Sequence, residues 1–186
     1  MKRIAMVGMA ILAVVAIGGA NAISVSASGH EFGASTSGKT VSHGTTEQRF
    51  KTSAGTIECE TVSGSGTISA GKSTMHKEVL DFGECTGFGK SINVSAAYFE
   101  YNANGPAKLE KEVKVTSPSL GCELIIEPQT VESLSYESVS GGKLISKATI
   151  NKVKAKGTGG VCGGPTEASY TGTIEAELEG GTLEWK

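Results

Sequence analysis

Residues 66–73, GTISAGKS, carry the spacing G-x-x-x-x-G-K-S/T, in which the amides of a glycine turn cradle phosphate oxygens and the lysine reaches the outer phosphates. A second copy, GASTSGKT, runs from Gly33 to Thr40, and Gly89-Lys90-Ser91 repeats the final tripeptide. Such a loop works where a strand buried on both faces leads into the turn and a helix starts just beyond it. Neither match has that context. The run before Gly66, IECETVSGS, alternates charged with apolar residues and contains a cysteine, and no apolar strand precedes Gly33. The pattern follows from composition, and Lys72 and Ser73 are expected at the surface.

Other reactive groups are sparse. S-x-x-K occurs at Ser69–Lys72 and Ser140–Lys143 without an S-D-N partner, and no G-x-S-x-G elbow is present. There is no C-x-x-C, and His30, His43 and His76 are scattered, so no metal is expected. Glu58 and Glu60 share one strand face; a hydrolase would need them, or another carboxylate pair, to converge with His76 in a cleft. Glu175, Glu177 and Glu179 line one strand face and Lys147, Lys152, Lys154 and Lys156 another, which predicts cross-strand ion pairs. The alternatives are Ca²⁺ on the carboxylates, which lack the usual Asp/Asn loop spacing, or an anionic glycan on the lysines. In Tyr98-Phe99-Glu100-Tyr101, Phe99 and Tyr101 fall opposite Tyr98; with Trp185 they are the candidate contacts to a sugar. Asn93-Val94-Ser95 is a glycosylation sequon if the host is a eukaryote. No cofactor is expected.

The elements that would position these groups follow an export signal. Lys2 and Arg3 precede an apolar run from Ile4 to Gly19 and the small-x-small triplet Ala20-Asn21-Ala22, the layout of a signal peptide spanning 1–22. With no Cys near the cut and no hydrophobic tail in GGTLEWK, release to the exterior is expected rather than anchoring. About 164 residues then remain, one domain by length. Formal net charge goes from −2 to about −4 when Lys2 and Arg3 are lost, leaving no basic excess for nucleic acid or an anionic membrane.

Cys59, Cys85, Cys122 and Cys162 all lie in the exported part, where thiols oxidise, so two disulfides are expected. Three connectivities are open; the sequential pairing, Cys59–Cys85 and Cys122–Cys162, is the one we favour. Loop closure would make the bridges worth roughly 3.5 and 4 kcal/mol. Residues 23–48, rich in Ser, Thr and Gly, predict a loose N-terminal arm before a domain at 49–186. Period-two alternation then recurs: Ile57, Cys59 and Thr61 against Glu58 and Glu60; Ile92, Val94, Ala96 and Tyr98; Leu109, Lys111, Val113 and Val115; Cys122, Leu124 and Ile126; Ile174, Ala176 and Leu178. Gly64 and Gly66, Gly87 and Gly89, Asn104-Gly105-Pro106, Gly141-Gly142, Gly163-Gly164-Pro165 and Gly180-Gly181 read as turns between strands. Met75–Leu80 is ambiguous between helix and strand. The fold class predicted is all-β: a single antiparallel β-sandwich, Greek-key/Ig-like or jelly-roll-like, of about eight to ten strands.

Several stretches together, Gly29-His30-Glu31-Phe32, Phe50 to Cys59, Glu84 to Gly89, Gly121 to Gln129 and Tyr170-Thr171-Gly172, resemble a family of short exported proteins of actinobacterial type. Its marks are a signal peptide, an HEF-like start and cysteine-punctuated β-strands. The resemblance spans nearly all of the mature chain and implies secretion, β-structure and disulfides, but no activity. Some members carry a further cysteine pair, near the positions of Tyr98 and Ser117, which this chain lacks. The function expected is a non-catalytic binding or structural domain at or outside the cell envelope, with an extracellular glycan or envelope component as partner. Its sharper form is a carbohydrate-binding module; the rival class is an extracellular hydrolase.

Overall fold

The computed structural model describes residues 29–132, 134–159 and 162–186. The expected signal peptide, and the start of the expected arm, lie outside the described residues. The described chain forms sixteen strands and one 3-10 turn, Pro118–Leu120. The strands are β1 (Phe32–Ala34), β2 (Gly38–Gly44), β3 (Gln48–Thr52), β4 (Gly55–Ile68), β5 (Gly71–Ser73), β6 (Met75–Gly87), β7 (Lys90–Val94) and β8 (Ala97–Asn102). They continue with β9 (Ala107–Leu109), β10 (Val113–Ser117), β11 (Cys122–Ile126), β12 (Gln129–Val131), β13 (Leu134–Val139), β14 (Lys143–Thr158), β15 (Gly164–Leu178) and β16 (Leu183–Trp185). Every pairing is antiparallel, as expected for hairpin-connected strands. The strand count and layout differ from the expected sandwich of eight to ten: thirteen strands belong to one large sheet, and β16, β1 and β5 form a second, small one.

The large sheet has a closed half and an open half. In the closed half, β3, β4, β6, β7, β10, β11, β14 and β15 pair in a ring that returns to β3, an eight-stranded barrel. In the open half the order is β12-β9-β8-β6-β4-β2-β15-β14-β13. The gap beside β12 is bridged by a side chain: Gln129 donates to the Lys154 carbonyl at 3.0 Å and accepts from the Lys154 amide at 2.9 Å.

Four long strands, β4, β6, β14 and β15, run through both halves, and three of them change inward face at the waist. On β4 the buried positions pass from Ile57 and Cys59 to Val62 and Ile68; on β6, from Glu78 and Leu80 to Cys85. Opposite each other at that switch stand exposed Glu60 and Glu84, the latter at φ 52°. On β14 the register slips between Ile150 and Val153 around Lys152, at φ 59°. On β14 one extra residue flips every later side chain to the other face, whereas β4 and β6 keep their mutual register and change face together. Alternation read through the waist therefore fails: Thr61 is exposed, Lys111 falls in the break between β9 and β10, and Tyr98 faces outward while Ala97 and Tyr101 are buried.

Gly64 and Gly66, read as turn residues, lie inside β4 instead. A Cβ on Gly64 would overlap the Ser42 hydroxyl and the Glu78 carboxylate, and one on Gly66 would overlap the Lys77 carbonyl and the Thr40 hydroxyl. Met75–Leu80 is strand, the first half of β6. The described part of the arm, 29–48, is woven into the fold: β2 lies between β15 and β4, with Thr40 and Ser42 buried. Its few apolar residues misled because β1 buries the ones it has, Phe32 and Ala34, and the inward positions of β2 are hydroxyls with polar partners nearby. Both expected disulfides form, Cys59–Cys85 across β4 and β6, and Cys122–Cys162 from β11 to the β14–β15 turn.

Candidate functional site

The two nucleotide-loop matches lie side by side in antiparallel strands. Gly33 pairs with Lys72 and Thr40 with Gly66, and the Ser37 hydroxyl accepts from the Ala70 amide at 2.8 Å. No helix follows either glycine turn, so no set of helix amides converges on a phosphate. Lys72 is 65 % exposed and meets Glu31 at 2.7 Å, a hydrogen-bonded pair that raises the lysine pKa. Lys39, its counterpart, stands 3.7 Å from Glu179.

Carboxylates and lysines on the outer faces pair with one another. Glu58 binds Arg49 at 2.8 Å and Glu60 is exposed, while His76 faces inward; the trio a hydrolase required does not assemble. Glu175 and Glu177 are held by Lys143 at 2.8 and 3.2 Å, and Lys147 pairs with Glu137 at 3.1 Å. Glu175, Glu177 and Glu179 do pair across strands, but with Lys143 and Lys39 rather than with the lysines expected. Lys152 sits in the bulge, and Lys154 and Lys156 lie past it, beside the opposite end of β15.

The densest convergence of polar groups is one that alternation did not reveal, a wall inside the open half built by β2, β4 and β6. The register puts Thr40 beside Gly66 and Glu78, and Ser42 beside Gly64 and Leu80. Ser42 donates to the Glu78 carboxylate, and Thr40 Oγ1 lies 3.4 Å from His76 Nε2. The two glycines are the space that these side chains occupy, so Gly-x-Gly in a strand next to alternating Thr and Ser was the available signal. Burial pushes the Glu78 pKa up to about 7, against the Ser42 hydrogen bond, and pushes His76 down to about 4. Both groups are thereby biased to their neutral forms. Gln48, fully buried, accepts from the Tyr170 hydroxyl in the same interior. Ser42 is bonded to a carboxyl rather than to an imidazole, and Thr40, Ser42 and Glu78 are all closed off from solvent, so the wall holds protons in place without presenting a nucleophile.

The three aromatic candidates are engaged internally. Tyr101 is buried and stacks with Phe99 at 5.6 Å; both line small interior cavities, of which the apolar one beside Phe50 and Ile126 measures about 40 Å³. Trp185 donates from Nε1 to the Ala103 carbonyl at 2.8 Å, and His30 stacks on its ring at 4.1 Å. The aromatic ring turned outward is Tyr98, with the Lys111 ammonium 3.8 Å from its centroid. Among the described residues no three His, Cys, Asp or Glu side chains group as a metal site requires. No family model matches the chain, and no curated protein or solved structure matches it.

Proposed function

We infer that this chain acts outside the cell membrane as an exported, disulfide-braced β-domain that binds or supports through its outer faces and does no catalysis. The observation that carries this is the direction in which its groups are spent. Inside, Ser42 bonds Glu78 and Tyr170 bonds Gln48, with only His76 Nδ1 and Tyr136 Oη left unpartnered among the described buried side chains, and outward charges pair across the strands. Both disulfides suit an oxidising compartment. No helix among the described residues is long and apolar enough to cross a membrane. The sheet's interior is mostly apolar, and its outer face carries Glu58, Lys77, Lys147, Lys154 and Lys156; a membrane barrel needs an apolar outer band.

Mass spectrometry of the naturally produced protein tests this reading. The expected result is a chain starting at Ile23 with all four cysteines oxidised. A retained leader, or free thiols, overturns it.

A further inference from the structure

The outward side chains of β2, β4, β6 and β8 line an open groove of about 470 Å³, inside the range of roughly 300–1,000 Å³ typical of small-ligand sites. The antiparallel register arranges the sheet face around it in two rows, with Val41 and Glu100 just outside the groove. One runs Val41, Ser65, Val79, Tyr98, and ends on an aromatic ring; the next runs Lys39, Thr67, Lys77, Glu100. Lys77 bonds both Glu100, at 2.9 Å, and Glu110, at 2.7 Å. Its charge is thereby matched, and the second row offers donors and acceptors together without a surplus of either sign. Tyr98 lines the groove, and the Lys111 ammonium caps one face of its ring, 3.8 Å from the centroid.

A sugar ring has the complementary halves, an apolar C–H face that stacks on aromatic and aliphatic surface and a rim of hydroxyls that both donate and accept. An anionic ligand would face the Glu100 and Glu110 carboxylates, and a cationic one the two lysines. We propose that this groove binds an uncharged saccharide, stacked on Tyr98 and Val79 and hydrogen-bonded by Thr67, Lys77 and Glu110. The assignment rests on the surface-binding reading above and names its ligand class. It also moves the aromatic platform from Phe99, Tyr101 and Trp185, which face inward or are covered, to the residue that shares their sequence cluster but the opposite face.

The test is a two-dimensional NMR titration of the exported chain with neutral cello-, manno- and chito-oligosaccharides, and in parallel with oligogalacturonate. A neutral oligosaccharide is expected to shift the amides of Ser65, Thr67, Lys77, Val79 and Tyr98. Tyr98→Ala should weaken binding about tenfold, the loss of one aromatic contact, while Tyr98→Phe keeps most of it. Thr67→Arg, which fills the groove from β4 and leaves Tyr98 in place, should abolish it; each variant is required to melt as the parent does. Shifts elsewhere on the molecule, or with oligogalacturonate alone, overturn the groove and leave the surface-binding reading standing. Silence with every oligosaccharide overturns the groove as well, and retention of the same protein on isolated cell envelopes then decides the broader reading separately.

Discussion

Glu78 and His76 face the same interior from one strand, and burial shifts them in opposite directions. Glu78 is raised from 4.5 to about 7, so its contribution to stability is full below about pH 4.5 and is lost as pH rises to about 7. His76 is lowered from 6.5 to about 4, so its contribution is full above about pH 6.5 and is lost as pH falls to about 4. Between about pH 4.5 and 6.5 the two slopes cancel, and the melting temperature is expected to be nearly level. Glu78→Gln leaves the His76 slope alone. Its stability should climb with pH through that window by about 2–3 kcal/mol, read from denaturant melts at a series of pH values. A variant as flat as the parent would show that Glu78 does not titrate in the wall.

At the scale of elements, the β14 bulge decides which side chains of the longest strand reach the core. Lys152 sits at φ 59°, where a side chain costs about 1 kcal/mol relative to glycine. Lys152→Gly should therefore keep or raise stability by up to about 1 kcal/mol, whereas deleting Lys152 should abolish folding, because Leu144 and Ile150 then turn outward. Thermal melts of the two variants check this, and a deletion that folds would mean that the bulge does not set the register. The same element explains what was legible in advance. Ile174 to Leu178 and Cys122 to Ile126 stay within one half, and their alternation translates directly into buried and exposed faces. β6 inverts the rule, placing His76 and Glu78 inward, with Met75 exposed and Val79 only partly covered, so Met75–Leu80 gives no clear period. For Tyr98, Phe99 and Tyr101, aromatic residues on both faces carry no hydropathy contrast, and only the fold assigns their sides. Cysteine content predicted the bridges because oxidation chemistry does not depend on register.

In the whole molecule, both disulfides brace the closed half. Cys59–Cys85 crosses its wall and Cys122–Cys162 ties β11 to the β14–β15 turn. The open half depends on the polar wall, on the Gln129 bridge and on the small sheet, in which β1 is held between β16 and β5. Replacing Cys59 and Cys85 by alanine should cost about 3.5 kcal/mol from the unfolded chain's regained entropy, beyond any packing loss. Hydrogen exchange should show that removing Cys122–Cys162 speeds opening first at β11 and the start of β15. Faster exchange appearing first in β2 or β13 would contradict this division of support.

The ends of the open half have a consequence for how copies of the protein treat one another. β12 and β13 each pair on one side only, which would ordinarily leave amides and carbonyls able to recruit a strand from a neighbouring molecule. On β12 the Gln129 amide occupies that position against Lys154; beside β13, the Ser138 hydroxyl accepts from the Trp185 amide at 2.7 Å and donates to its carbonyl at 3.1 Å. Side chains stand in where a foreign backbone would dock. A chain rich in strand-forming sequence is thereby protected from edge-to-edge aggregation.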